Sequence, residues 1–310
     1  MILCCGEALI DMIPVVAEDG AEAYAPLPGG AVFNTAIALG RLGAPAGFCC
    51  GLSRDLFGRR LEAVLARAGV DTRLSPRCDR PTTLAFVTLV DGQARYAFYD
   101  ENTAMRMVTV ADMPALTTDV EAAFFGGISL AVEPCGSAYE ELFAGTVAAG
   151  RLTMIDPNIR PGFVADEPAY RRRLATMMSR ADIVKLSDED MGWLYPGMEE
   201  GRVVDRLFSA GETSLLLVTR GARGATCHIR GGARIDRPAP RVNVVDTVGA
   251  GDTFNAGFLA GLARADALGR ERLAALDREE LETCLTLAVT AAALTASRHG
   301  ADPPWASDLE

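Results

Sequence analysis

Val245-Asp246-Thr247-Val248-Gly249-Ala250-Gly251-Asp252-Thr253-Phe254 is the stretch on which the reading of this 310-residue chain turns. An apolar run from Val242 to Val245 leads into it, and Phe254, Phe258, Leu259 and Leu262 lead out at helical spacing. The pattern predicts a strand, a glycine-rich turn and a helix. Gly249, Ala250 and Gly251 leave the first N–H groups of that helix uncovered, and orphan donors at the positive end of a helix dipole form an anion site. Asp252 falls among them, in the first turn. A carboxylate there can serve only to stabilise the dipole. The sharper reading is a general base, which takes a proton from an attacking hydroxyl while the amides hold the developing anion. Phosphoryl transfer needs both, because it is largely positioning and charge neutralisation.

Composition narrows the alternatives. The net charge of −11 argues against nucleic-acid and anionic-membrane partners, although a local site can still take an anionic nucleotide. No apolar stretch approaches the roughly 20 residues of a membrane span. Met1-Ile2-Leu3-Cys4-Cys5-Gly6-Glu7 has no basic region and is not read as a signal peptide. The 8 cysteines include no Cys-x-x-Cys pair and have only 2 histidines for company, so zinc spacing is absent. They read as buried thiols of a reduced, cytoplasmic protein.

The chain otherwise alternates strand-like and helix-like runs, with no repeat or linker. That order predicts one α/β domain over residues 1–310, with a mainly parallel sheet and right-handed crossovers. Residues 1–5 read as a buried first strand that delivers Asp11 to the edge where open α/β sheets bind ligands. A solvated loop acid is the equal alternative for Asp11. Residues 12–28 read as irregular, punctuated by Pro14, Gly20, Pro26 and Pro28. Residues 82–90 and 95–99 flank Asp91-Gly92 and read as a β-hairpin that interrupts the alternation. With part of 12–28 it could cover the ligand edge. Residues 152–155 read as a strand opening onto Asp156-Pro157-Asn158-Ile159-Arg160, whose guanidinium suits phosphate or a plain surface ion pair. Residues 183–186, containing Lys185, read as the next strand. Ser187 after it suits an N-cap, with Asp188, Glu189 and Asp190 in the first turn. Residues 215–218 lead to Thr219-Arg220-Gly221-Ala222-Arg223-Gly224, a tight turn. A helix over 281–296 closes the fold, and residues 302–310 read as a mobile end.

Asp246 to Phe254 resembles the C-terminal signature of the ribokinase-like (PfkB) sugar kinases. Pro28-Gly29-Gly30-Ala31-Val32-Phe33-Asn34 resembles the N-terminal Gly-Gly signature of the same family. The two signatures stand over two hundred residues apart, in the family's order. The resemblance implies a three-layer α/β/α fold with a small β lid, here residues 12–28 and 82–104, that closes the sugar pocket and often pairs with a second subunit's lid. It implies a set of roles in this chain: Asp252 as base with Gly249, Ala250 and Gly251 around the phosphoryl group, and Asp11, Gly29, Gly30, Asn34, Phe98 and Arg160 on the sugar. ATP with Mg2+ is then expected along Lys185, Ser187, Thr219, Gly221, Gly224, Gly249 and Gly251. The family usually carries Asn-x-x-Glu where this chain has Ser187 and Asp190, so Asp190 is at most an indirect metal residue. The loop around Asp246 and Val248 resembles the family's monovalent-cation (K+) loop.

The acceptor is expected from residues 95–104. Kinases of 2-keto-3-deoxygluconate in the family usually show Tyr-Tyr-Arg there, the arginine pairing with the substrate carboxylate. This chain has Asp100 and Glu101, and acids facing a carboxylate would repel it. A neutral hexose is expected, and the stretch resembles bacterial fructokinases. Ribose or nucleoside kinases and a non-catalytic sugar-binding relative are the alternatives. A dinucleotide-dependent dehydrogenase fails at the motif, since the first strand leads to Gly6-Glu7-Ala8 and not Gly-x-Gly-x-x-Gly.

Overall fold

The computed structural model describes residues 1–90 and 93–309. Among them, eight strands form the central sheet in the order Arg234–Arg237, Ala225–Ile229, Leu215–Thr219, Ile183–Ser187, Leu152–Asp156, Ala122–Gly126, Ile2–Cys5, Ala46–Cys49. The last six of these run parallel. The first two are antiparallel and close one edge. Ile2–Cys5, Ala122–Gly126 and Leu152–Asp156 are buried along their whole length. Such strands need cover on both faces, which explains their nearly unbroken apolar sequence. Two groups of helices supply it. Ala31–Arg41, Ala250–Arg264 and Arg278–Ala296 pack on one another, and so do Cys135–Ala148, Glu167–Arg180 and Glu200–Ala210. The fold is ribokinase-like α/β, and its parallel strands carry Glu7, Gly127, Asn158 and Ser187 to one edge. No helix among the described residues is long and apolar enough to cross a membrane.

A second sheet of four strands stands beside the first, in the order Glu22–Gly29, Leu9–Val16, Leu84–Val90, Gln93–Tyr99. Residues 12–28, expected to be irregular, are therefore a regular antiparallel hairpin, with Leu9 opposite Gly29 and Val16 opposite Glu22. The prolines misled because two of them, Pro26 and Pro28, lie in the outermost strand, where a missing N–H breaks no ladder. Leu84–Val90 pairs antiparallel with Gln93–Tyr99, as the hairpin pattern predicts. The Asp91-Gly92 turn itself lies outside the described residues.

Two further expectations fail. The run Val242 to Val245 is not a strand but a surface loop, with Val244 56% exposed. The sheet edge is already occupied by Arg234–Arg237, so the run is tied instead to the end of the last helix, Val245 N donating to Ala296 O at 2.9 Å. Residues 302–309 are docked, not mobile. Asp302 pairs with Arg41 at 2.5 Å, the Trp305 ring lies 5.2 Å from the Arg41 guanidinium, and Asp308 pairs with Arg298 at 3.0 Å.

Candidate active site

A cavity of about 580 Å³ opens at the strand-end edge, between the central sheet and the small sheet. Asp11, Gly30, Asn34, Phe98, Arg160, Lys185, Gly249, Gly251 and Asp252 line it together, although they come from six separate parts of the chain. Asp252 stands in the first turn of Ala250–Arg264, whose N-cap, Gly249, is left-handed at φ 77°. The Ala250 N–H is taken by Thr247 O at 3.3 Å. The Gly251 and Asp252 amides, without backbone partners among the described residues, are the open donors of this helix start.

Asp252 is 7% exposed, and Asn34 Nδ2 donates to its Oδ2 at 2.9 Å. Asn34 lies one turn into Ala31–Arg41, so two helix N-termini meet at this contact. Thr35 Oγ1, next along, donates to Asp252 O at 3.3 Å. Burial pushes the Asp252 carboxyl up, and the charge of Asp156 adds to the rise. The Asn34 hydrogen bond and the Lys185 charge oppose it, leaving a pKa of about 7. A carboxylate with that pKa is suited to exchange a proton near neutral pH.

Behind Asp252, Lys185 Nζ and Asn255 Nδ2 both donate to Asp156 Oδ2, at 3.0 and 2.7 Å. Burial opposes the lysine charge, but the carboxylates of Asp156 and Asp190 outweigh it, and Lys185 is held protonated. A Cβ on Gly251 would lie 3.8 Å from Lys185 Nζ, so the lysine sits directly beneath the open helix start.

On the small-sheet side Asp11 lines the cavity, with Gly29 packed behind it and outside the lining. A Cβ at Gly29 would fall 2.2 Å from Asp11 Oδ2, which is why that position is glycine. Burial pushes the Asp11 carboxyl up to about 6. Phe98 lines the cavity and meets Phe163 edge-on, ring centroids 4.0 Å apart, while Tyr99 turns outward and is 64% exposed. Arg160 lines the cavity and donates to Ile159 O at 3.0 Å.

Asp100 does not line the cavity. It is buried and its Oδ2 accepts from Arg106 Nη1 at 2.9 Å, so the repulsion expected between it and an acidic acceptor has no geometric basis. Ser187, Thr219, Gly221 and Gly224 also lie outside the cavity lining, on neighbouring strand ends, with Ser187 opposite Thr219. Gly224 has its own structural reason, since a Cβ there would fall 2.1 Å from Arg237 O. Asp190 accepts from Ile159 N at 2.8 Å, Ser187 N at 2.9 Å and Ser187 Oγ at 2.7 Å, which commits its carboxylate to the protein. No group of three or more His, Cys, Asp or Glu among the described residues could hold a metal ion.

Sequence reasoning passed over Glu7, Phe163 and Asn255. Phe163 carried a faint signal, an aromatic residue three positions past Arg160 in a Pro-Gly turn. Asn255 falls at i+3 from Asp252, on the same helix face, a spacing legible only once Asp252 is known to matter.

The family model for pfkB family carbohydrate kinases matches residues 1–308. A fructokinase of Rhizobium leguminosarum bv. trifolii is 48% identical over 281 residues, 91% of this chain and 85% of that protein. Fructokinase-1 of Oryza sativa subsp. japonica is 35% identical, over 100% of this chain and 96% of that one. The crystal structure of a fructokinase with bound ATP from Xylella fastidiosa superposes with a TM-score of 0.89 at 32% identity, covering 97% of this chain and 93% of that one. The match runs through both glycine signatures and the Asp252 helix alike, and the chain belongs to the pfkB family of carbohydrate kinases.

Proposed function

We propose that the protein transfers the γ-phosphoryl group of ATP to the primary 6-hydroxyl of D-fructose. The observation that carries this reading is the Asp252 constellation: a buried carboxylate of pKa about 7, oriented by Asn34 and placed beside the open Gly251 amide and the Lys185 cation. Asp252 takes the hydroxyl proton, the helix start holds the transferred phosphoryl group, and Lys185 offsets its charge. Asp11 and Asn34 bind other sugar hydroxyls, and the Phe98–Phe163 pair faces the ring. The identity of the relatives supports fructose as the acceptor. Mg2+ bound to the nucleotide would neutralise phosphate charge. The acids on that side, Asp156 and Asp190, are engaged within the protein, so phosphate oxygens and water would supply most of its ligands. A monovalent cation would lie near Asp246, whose carboxylate already ties the loop to the Val248 and Gly300 amides at 3.0 Å each.

The test is ADP release from MgATP with D-fructose, 2-keto-3-deoxygluconate, D-ribose, D-glucose and adenosine. Preference for fructose is expected. The keto-deoxy acid is the second reading, favoured by one observation: Arg160 lines the cavity with no carboxylate partner among the described residues. Preference for it would keep the chemistry and change the acceptor.

Two predictions bear on the site. The value of kcat/KM should fall about tenfold per pH unit below about 7 and level off above it, because protonated Asp252 cannot act as a base. A pH profile flat from 5.5 to 8 would remove Asp252 from that role. Phe163→Ala deletes half of a ring pair worth about 0.5–1.5 kcal/mol, so the fructose KM should rise roughly two- to tenfold with kcat little changed. Steady-state kinetics check this, and an unchanged KM would place the ring pair outside the acceptor site.

The small sheet supports a homodimer. Val16, Tyr24, Leu27 and Tyr99 are exposed on it, Val16 at 75%. Sedimentation velocity at micromolar concentration should give a dimer, and a monomer there would exclude the lid-mediated pair. A cytoplasmic setting is supported by 8 free cysteines, nearly all buried.

A further inference from the structure

Two of the elements that wall the acceptor side begin without a cap of their own. Ala31–Arg41 starts from Gly30 at φ 109°, with no side-chain cap and no acid in its first turn. The short turn Ile128–Leu130 starts from Gly127 at φ 73°, also uncapped. Both starts leave N–H groups without intrahelical acceptors, at the wall of a cavity where such groups would otherwise need water or ligand.

One side chain from a third element serves both. Glu7 follows the strand Ile2–Cys5 and is 1% exposed. Its Oε1 accepts from Ala31 N at 3.0 Å and its Oε2 from Ser129 N at 3.3 Å. Its backbone carbonyl accepts from Phe33 N at 3.2 Å, so main chain and side chain grip the same helix turn. The two glycines make the room. A Cβ at Gly127 would fall 2.1 Å from Glu7 Oε1, and one at Gly30 would fall 2.9 Å from Glu7 O. Burial pushes the Glu7 carboxyl up, and the hydrogen bonds it accepts offset only part of that cost.

The consequence reaches the reacting centre through a short path. Phe33 is held by Glu7, and Asn34, the next residue, orients Asp252. Ile128, between the Gly127 and Ser129 positions, lines the same cavity. We propose that Glu7 is the positioning residue of the acceptor side, a single buried carboxylate that fixes the two glycine-started turns and so sets where the acceptor meets Asn34 and Asp252. The proposal rests on the acceptor lying on this side of the cavity. Among the described residues no hydrogen bond or ion pair joins Glu7 to Lys185 or Gly251, and its charge is felt on that side only as the smallest of the named influences on Asp252.

Glu7→Gln keeps the size but turns an N–H₂ toward one of the two N–H donors, so one bond becomes a donor–donor conflict. The KM for D-fructose should rise on the order of tenfold, the size of one lost capping interaction, with the ATP KM within about twofold. Amide hydrogen exchange, read without any sugar, should lose protection at residues 31–35 and 128–131 but not in the helix Arg278–Ala296. Glu7→Asp keeps the charge with a shorter reach, serves one donor only, and should give a smaller change of the same kind; it carries the test if the glutamine variant does not fold. Unchanged exchange at both turns, or an equal rise in both KM values with protection lost throughout, would overturn the proposal. Failure of the wild-type protein to phosphorylate fructose would instead overturn the assignment of the acceptor, and the exchange measurement would still decide the role of Glu7.

Discussion

Asp252→Asn is expected to lower kcat by about 10²–10⁴, the usual contribution of a positioned general base, while the fold survives. The asparagine carbonyl can still accept the Asn34 Nδ2 hydrogen bond, now 2.9 Å long, so the local geometry has a reason to persist. Stability has a definite sign as well. The folded-state pKa of Asp252 is raised above that of a free carboxyl, so the native state binds this proton more tightly than the unfolded chain does. Folding stability is therefore lost as pH rises from the unfolded value toward about 7, and above that the ionised group is a standing cost. Asparagine carries no such charge. The variant should melt at or above the wild-type temperature at pH 8, with the difference shrinking toward pH 5. Turnover within a few-fold of wild type would remove the catalytic assignment. Lost turnover with a wild-type or higher melting temperature is the outcome the mechanism requires.

The parallel sheet and the two glycine signatures were legible because they are local. Strands buried on both faces read as apolar runs of four or five residues, and a glycine-led helix start reads as itself. What failed was decided by neighbours distant in sequence. Val242 to Val245 has the residues of a strand, but Arg234–Arg237 had taken the edge. Pro26 and Pro28 looked like loop punctuation until the strand carrying them proved outermost. Asp100 has the residue type to repel an acid, yet Arg106, six positions on, draws it out of the cavity. The site shows the same division. Asp252 and Asn34 could each be singled out, but not the 2.9 Å bond between them across 218 positions. Glu7 was passed over because its partners, Ala31 and Ser129, are 24 and 122 residues away, and nothing near it in sequence hints at a clamp.

Lys185→Met should separate two roles that the lysine combines. Removing one partner of a buried pair costs about 3–5 kcal/mol, because the other charge is left uncompensated. Among the described residues Asp156, 2% exposed, would keep only Asn255 Nδ2 and the Asn158 amide as carboxylate partners. A large fall in melting temperature is expected on that ground alone. Turnover should fall by about 10² or more, since a cation placed beside the transferring phosphoryl group acts in a dry site where charge is worth more. The Lys185 charge also holds the Asp252 pKa down, so without it the acidic limb of the kcat/KM profile should move to higher pH. The double variant Lys185→Met with Asp156→Asn decides between structure and chemistry. It leaves no unpaired charge, so stability should return most of the way toward wild type. Turnover should stay low, because the cation is still missing. If the double variant regains both, the lysine serves only to neutralise Asp156, and the phosphoryl group is held by the helix start and the magnesium alone.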